Sequence, residues 1–209
     1  MKSPFIGVVR HRINTDGNGV FTLAAFHGCP LRCRYCLNPQ SIRENKKCLI
    51  LSPEELLEMV SVDNLYFLAT NGGVTFGGGE PLLRYQFIQE FKKICNPGWT
   101  INVETSLNVD PENVSGIADI VDNFVIDIKD FDPDIYRKYT GIGNEKVISN
   151  LEWLCGKDLQ EKIKVRVPQI KDFNSQESIN KTFHVLNRLG IKNIDCFNYV
   201  IVNKDNLQP

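Results

Sequence analysis

The sequence predicts an α/β fold built on a mainly parallel sheet, in one domain spanning residues 1–209. Three observations carry this. Apolar, β-branched runs of strand length recur along the chain; stretches with helical periodicity and helix-start chemistry lie between them; and no repeat, low-complexity tract or linker interrupts the alternation. Such an order calls for right-handed crossovers. An open or partial β/α barrel satisfies it, and so does a doubly wound sheet.

Six strands are expected, at 19–27 (GVFTLAAFH), 73–76 (GVTF), 100–104 (TINVE), 124–128 (FVIDI), 162–167 (KIKVRV) and 194–201 (IDCFNYVI). Ser52-Pro53-Glu54-Glu55 is a capping box with proline at the first helical position. Asn174 with Glu177 repeats the pattern before SINKTFHVLNRL, which Gly190 stops. The segments 81–95, 110–118 and 145–154 supply the remaining helices.

Basic and acidic residues number 24 and 25, so charge gives no reason to expect a nucleic-acid or membrane partner. No apolar run reaches the eighteen or so residues of a membrane span, and the opening MKSPFIGVVR lacks a signal-peptide core, so a cytoplasmic location is expected. His11, His27 and His184 read as surface or packing residues. Cys48, Cys95, Cys155 and Cys196 are scattered and read as small buried hydrophobes rather than a disulfide framework.

The other three cysteines crowd together. Gly28-Cys29-Pro30-Leu31-Arg32-Cys33-Arg34-Tyr35-Cys36-Leu37-Asn38 spaces its thiols as C-x3-C-x2-C just after the first expected strand. One loop can wrap such thiolates around a single centre, either an iron–sulfur cluster or zinc completed by a distant ligand such as Cys48. Three local ligands leave one position open, which suits a catalytic metal site.

The motif, with Tyr35 before its last cysteine, resembles that of the radical SAM superfamily. The resemblance implies a partial (β/α)6 barrel, a [4Fe–4S] cluster on Cys29, Cys33 and Cys36, and S-adenosylmethionine chelated to the fourth iron. Reductive cleavage of that ligand to a 5′-deoxyadenosyl radical is the implied chemistry.

Other motifs follow strand ends. In Thr75-Phe76-Gly77-Gly78-Gly79-Glu80-Pro81 the glycines let backbone approach a ligand. Combined with the cysteines, Gly77, Gly78, Gly79 and Glu80 resemble the family's GGE motif, which meets the methionine amino group. Glu104-Thr105-Ser106, Asp127-Ile128-Lys129 and Arg166 also stand at carboxyl ends, which converge on one mouth of a barrel. Lys129 and Arg166 are suited to the ligand's carboxylate, and Asp127 with Glu104 to the sulfonium or to a monovalent cation.

The ordered set from Asp16 to Val200 is similar to the glycyl-radical-enzyme activases of the pyruvate formate-lyase activase type. Asp16-Gly17-Asn18-Gly19, TNGGVTFGGGEPLL, the Asp127–Lys129 strand, Thr140-Gly141 and RVPQIKDFN fall in matching order. By the resemblance Tyr35, Leu37 and Asn38 line the adenine, Asp127 and Lys129 line the rest of the ligand, and a flavodoxin or ferredoxin-type reductant serves an activase whose substrate is a glycyl-radical enzyme. The sequence departs from the group at Phe21, where arginine is usual; at Glu104 and Ser106, for aspartate and asparagine; at Val200, for histidine; and in ending at Pro209 without their C-terminal segment. Two other readings stand beside this one. One is a compact radical SAM enzyme acting on a small molecule or peptide, in the manner of 7-carboxy-7-deazaguanine synthase; the other is a zinc-stabilised β/α binding module.

Overall fold

A computed structural model describes residues 1–43 and 47–200. Eight strands form one sheet: β1 (Ser3–Ile13), β2 (Val20–Phe26), β3 (Leu49–Leu51), β4 (Gly73–Gly78), β5 (Thr100–Thr105), β6 (Asn123–Asp127), β7 (Ile163–Gln169) and β8 (Ile194–Asn198). Their spatial order is β3-β1-β2-β4-β5-β6-β7-β8. The six expected strands form the parallel run from β2 to β8, confirming the α/β class. The count of six is corrected to eight, because β1 pairs antiparallel with both β2 and β3 at one edge. Ile201, expected to end the last strand, lies outside the described residues.

Alternation along the strands sorts side chains between two faces. Val74, Phe76, Ile101, Val103, Phe124, Ile126 and Val165 are fully buried and pack with Leu56, Phe87, Phe91, Leu151 and Leu186 from the helices. Thr75, Asn102, Glu104, Val125, Asp127 and Arg166 occupy the intervening positions and face the other way. Phe26 anchors the core, stacked on Phe5 at 4.3 Å and on Phe76 at 5.7 Å between ring centres.

The helices are α1 (Pro53–Ser61), α2 (Asn64–Thr70), α3 (Tyr85–Ile94), α4 (Pro111–Ser115), α5 (Pro133–Thr140), α6 (Glu145–Gly156) and α7 (Gln176–Arg188). The capping box forms as expected: Glu55 N–H donates to Ser52 Oγ at 3.2 Å, and Ser52 N–H to Glu55 at 2.6 Å. The helix expected over 81–95 divides into a 3₁₀ turn (Pro81–Arg84) and α3, because Arg84 leaves helical geometry at φ −126°. The N-cap of α7 is Ser175 rather than Asn174; the Asn174 carboxamide instead accepts from Ile170 N–H and donates to Pro168 C=O, fixing the loop after β7. Two helices were not foreseen, α2 and α5, the latter bounded by the Asp132 cap and Gly141 at φ +86°. Cys95 and Cys155 are buried as expected, whereas Cys48 is only half-buried and Cys196 exposed.

Among the described residues the sheet does not close; β3 and β8 are its edges. It does curl. Five strand spacings separate β2 from β8, about 24 Å in a flat sheet, yet the Tyr199 hydroxyl beyond β8 donates to Tyr35 C=O in the loop after β2 at 2.6 Å. That bond spans the open side of a partial barrel. No helix among the described residues is long and apolar enough to cross a membrane.

Candidate cofactor-binding site

A cavity of about 210 Å³ opens at the carboxyl ends of the parallel strands, where β/α sheets bind ligands. Each strand of the parallel run, or the loop that follows it, contributes to its wall. Cys29, Cys33, Cys36, Leu37 and Asn38 come from the loop after β2; Gly78, Gly79 and Glu80 follow β4; Glu104 and Ser106 end β5; Asp127 and Lys129 end β6; and Arg166 lies on β7.

The cysteine loop is tied down on three sides. Gly28 N–H donates to Ser41 C=O at 2.7 Å, Arg32 and Arg34 N–H donate to Thr140 and Tyr139 C=O at the end of α5, and Tyr199 holds Tyr35. Arg32 Nη1 folds back to Cys29 C=O at 2.8 Å. All three thiols are free and half-buried. Burial pushes the Cys29 thiol up to about 12 and Cys33 up to about 11, so a bare thiolate is disfavoured there and a cationic centre would be needed to hold one. Among the described residues no three His, Cys, Asp or Glu side chains converge on a single-ion site. Instead the three thiols share the wall of one cavity. Three thiols on one loop suit an iron–sulfur cluster or a metal ion completed by a further ligand.

The glycines meet protein backbone at close quarters. Gly78 sits at φ +91°, and a Cβ there would lie 2.7 Å from that of Ala25; one on Gly79 would lie 2.1 Å from Gly28 C=O. Their bare backbone lets the end of β4 lie against the start of the cysteine loop, and the Asn38 carboxamide donates to Gly78 C=O at 3.1 Å across the same seam. Gly77 packs beneath Glu104 and off the cavity wall. Glu80 is buried with its carboxylate fully engaged, accepting from Thr105 Oγ1 (2.6 Å), Leu82 N–H (3.2 Å), and Ser106 N–H and Oγ (2.9 and 2.7 Å).

A row of charge crosses the cavity floor. Lys129 Nζ lies 2.5 Å from Asp127 Oδ2. Burial works against the ammonium, but Asp127 and Cys33 outweigh it and hold its pKa above the ordinary lysine value. Burial, reinforced by Asp16, raises that of Glu104, while Arg12 and Arg166 approach its carboxylate at 3.5 and 3.8 Å. Arg12 also lies 2.6 Å from Asp16 Oδ1 but out of hydrogen-bond alignment, so both Asp16 oxygens remain without a bond. Arg12 stands directly opposite Phe21 in the β1–β2 hairpin, so a guanidinium enters the barrel from β1 while position 21 is apolar. Glu104 and Asp127, expected around an inorganic cation, face the cations of Arg12, Arg166 and Lys129.

Sequence reasoning missed Leu31, Thr105, Val125, Tyr139, Phe197 and Tyr199 on the cavity wall. Strand alternation could have found Val125, two residues before Asp127, and Thr105 lay inside a quoted motif. Tyr35 is off the wall; its ring packs against Phe173 at 5.7 Å and Tyr139 at 6.3 Å. Asp127 Oδ1, buried on this wall, has no hydrogen-bond partner. Unpartnered buried groups are rare in native proteins. An open acceptor beside three thiols, an ammonium and a guanidinium fits a site where the thiols would hold a metal–sulfur centre and the charged groups a zwitterionic ligand.

The profile of the radical SAM superfamily matches residues 24–177. The chain is similar to the pyruvate formate-lyase-activating enzyme of Clostridium pasteurianum, 32% identical over 86% of this chain and 74% of that one. It is similar also to the (2S)-3-sulfopropanediol dehydratase activating enzyme of Klebsiella oxytoca, 28% identical over 85% of this chain and 75% of that one. In fold it resembles Streptococcus suis SuiB bound to S-adenosylmethionine, with a TM-score of 0.65 and 18% identity over 84% of this chain and 39% of that one. The chain thus spans about two fifths of that structure's length.

Proposed function

The chain belongs to the radical SAM superfamily, and from that premise and its likeness to glycyl-radical-enzyme activases we propose that it holds one [4Fe–4S] cluster on Cys29, Cys33 and Cys36, binds S-adenosylmethionine beside it, and installs a glycyl radical on a partner enzyme. Held by Cys29, Cys33 and Cys36 and reduced by a flavodoxin or ferredoxin-type protein, the cluster would supply one electron for cleavage of the sulfonium–C5′ bond to methionine and a 5′-deoxyadenosyl radical, and that radical would take a hydrogen atom from a glycine Cα of the partner, leaving 5′-deoxyadenosine and the glycyl radical. The observation that carries this reading is the shared cavity wall: three free thiols stand at one mouth with the strand-end charges.

The chain's own work is binding, orientation and exclusion of water. Lys129 and Arg166 take the methionine carboxylate, with Asp127 holding Lys129 in place. The backbone of Gly78 and Gly79 meets the amino group, and Glu80 keeps that backbone rigid by joining the ends of β4 and β5. Glu104 and Asp127 offset the sulfonium charge. Leu37 and Asn38 border the adenine, and Tyr35 backs that side of the cavity through its packing on Tyr139. The mouth of the cavity at the carboxyl ends of the strands gives a looped glycine-bearing segment its approach.

Anaerobic incubation with a reductant, S-adenosylmethionine and a candidate glycyl-radical enzyme should give 5′-deoxyadenosine together with the doublet electron paramagnetic resonance signal of a glycyl radical. Formation of 5′-deoxyadenosine with modification of a small molecule or peptide, and no radical on any partner, would replace the activase reading by the small-substrate one.

A further inference from the structure

We propose that Arg12 is the resident counter-cation of Glu104, so that the cavity takes its ligand without an alkali-metal ion; the part that concerns the ligand rests on the reading of the cavity above. The monovalent cation expected near Glu104 and Asp127 does not fit the charges found there. Arg12 Nη2 and Arg166 Nη1 both approach Glu104 Oε1, at 3.5 and 3.8 Å, and the Lys129 ammonium takes Asp127 Oδ2 at 2.5 Å. Asp16, Glu104 and Asp127 thus stand against Arg12, Arg166 and Lys129, three carboxylates to three cations.

The arrangement is built from several elements. The Arg12 side chain, 17% exposed, lies 2.6 Å from Asp16 Oδ1. The turn that carries Asp16 is held against β5, where Asn102, two residues before Glu104 on the same face, donates from its carboxamide to Asp16 C=O at 2.9 Å. Arg166 is fixed over the Phe197 ring of β8, 5.1 Å from its centre. Glu104 Oε2 lies against Gly77, where an added Cβ would come within 3.0 Å of it. An alkali-metal ion at Oε1 would therefore sit beside two guanidiniums and be repelled by both, and at Oε2 it would meet the packed backbone of β4.

Directly opposite Arg12 in the hairpin, Phe21 is buried and apolar, so Arg12 is the cation that β1 and β2 bring to Glu104. A guanidinium is weakly hydrated and always charged, which suits it to a half-buried pair. Burial raises the pKa of Glu104 and Asp16 and Asp127 add to the shift, while Arg12 and Arg166 oppose it. A counter-cation has a signature that a merely packed side chain lacks: its charge matters more than its shape, and alkali-metal ions have nothing to add.

The test compares the cluster-reconstituted protein in potassium, sodium and tetramethylammonium chloride at one ionic strength. The unaltered protein should show the same ligand-free melting temperature, and the same S-adenosylmethionine affinity by anaerobic calorimetry, in all three. Arg12→Ala should lower the ligand-free melting temperature in tetramethylammonium by about 5 °C, and Arg12→Lys should recover most of that loss. An unaltered protein that binds S-adenosylmethionine about tenfold more tightly in potassium or sodium than in tetramethylammonium would overturn the proposal, since an alkali-metal ion would then take part. So would an Arg12→Lys protein no more stable than Arg12→Ala, which would assign Arg12 to the fold by shape. If the unaltered protein binds no S-adenosylmethionine in any salt, the reading of the cavity falls, and the melting comparison still decides the role of Arg12.

Discussion

Ser106 donates twice to one carboxylate oxygen of Glu80, from its backbone N–H at 2.9 Å and its hydroxyl at 2.7 Å. The other oxygen accepts from the Thr105 hydroxyl and Leu82 N–H. One buried carboxylate thus joins the end of β4, the start of the following helical turn and the end of β5. Glu80→Ala should leave four donors without an acceptor and lower stability by about 3 kcal/mol. Urea denaturation of the metal-free protein measures this; a loss below about 1 kcal/mol would mean that water replaces the carboxylate.

Replacing Cys29, Cys33 or Cys36 by alanine should abolish assembly of a four-iron cluster, because each thiol supplies one corner. Cys48→Ala should not, since Cys48 has no part in the cavity wall. Iron and sulfide analysis after anaerobic reconstitution separates the two cases. A full cluster in Cys33→Ala would refute the ligand set.

Lys129→Ala removes the cation paired at 2.5 Å with Asp127. If this ammonium meets the methionine carboxylate, affinity for S-adenosylmethionine should fall by about 2–3 kcal/mol, since the substitution also leaves Asp127 uncompensated beside the ligand. Calorimetry on the reconstituted protein reads it directly. Unaltered affinity would assign the carboxylate to Arg166 alone.

Asp63 lies off the cavity wall. Its fully buried carboxylate accepts two bonds from Arg10, at 2.8 and 2.6 Å, one of 2.8 Å from the His11 ring and one of 3.3 Å from Thr22. The Arg10 bonds hold its pKa at about 2, against the opposing effect of burial. A carboxyl depressed in the folded state contributes stability above the unfolded value of about 3.9, and that contribution, on the order of 2 kcal/mol, is lost as pH falls from about 4 towards 2. Asp63→Asn should lower stability at pH 7 by this amount and flatten the acid limb of the stability profile. An acid limb identical to that of the unaltered protein would assign the loss of stability to other carboxylates.

The same cluster shows what lay beyond sequence reading. His11 takes a left-handed φ of +58° in a bulge of β1, and bulges redirect the side chains that follow. Here the bulge comes just before Arg12, whose guanidinium reaches Asp16 and Glu104 inside the barrel. Neither the bulge nor the strand was legible, because the run 3–13 loses its apolar alternation at Arg10, His11 and Arg12. The three-residue β3 is too short to carry a periodic signal.

By itself the sequence determined the six parallel strands, the capping box at Ser52, the cysteine loop and the strand-end groups that line the cavity. All of these are written in local signals: alternation with period two, cap chemistry and ligand spacing within one loop. Tertiary structure alone decided the antiparallel edge, the full engagement of Glu80, the pairing of Arg12 with Asp16 and Glu104, and the presence of Tyr139 and Tyr199 on the same wall as Cys33. These depend on the curl of the sheet, which brings Tyr199 against Tyr35 across 164 residues of sequence. Curvature accumulates from the twist and packing of every strand together, so no segment of the chain encodes it alone.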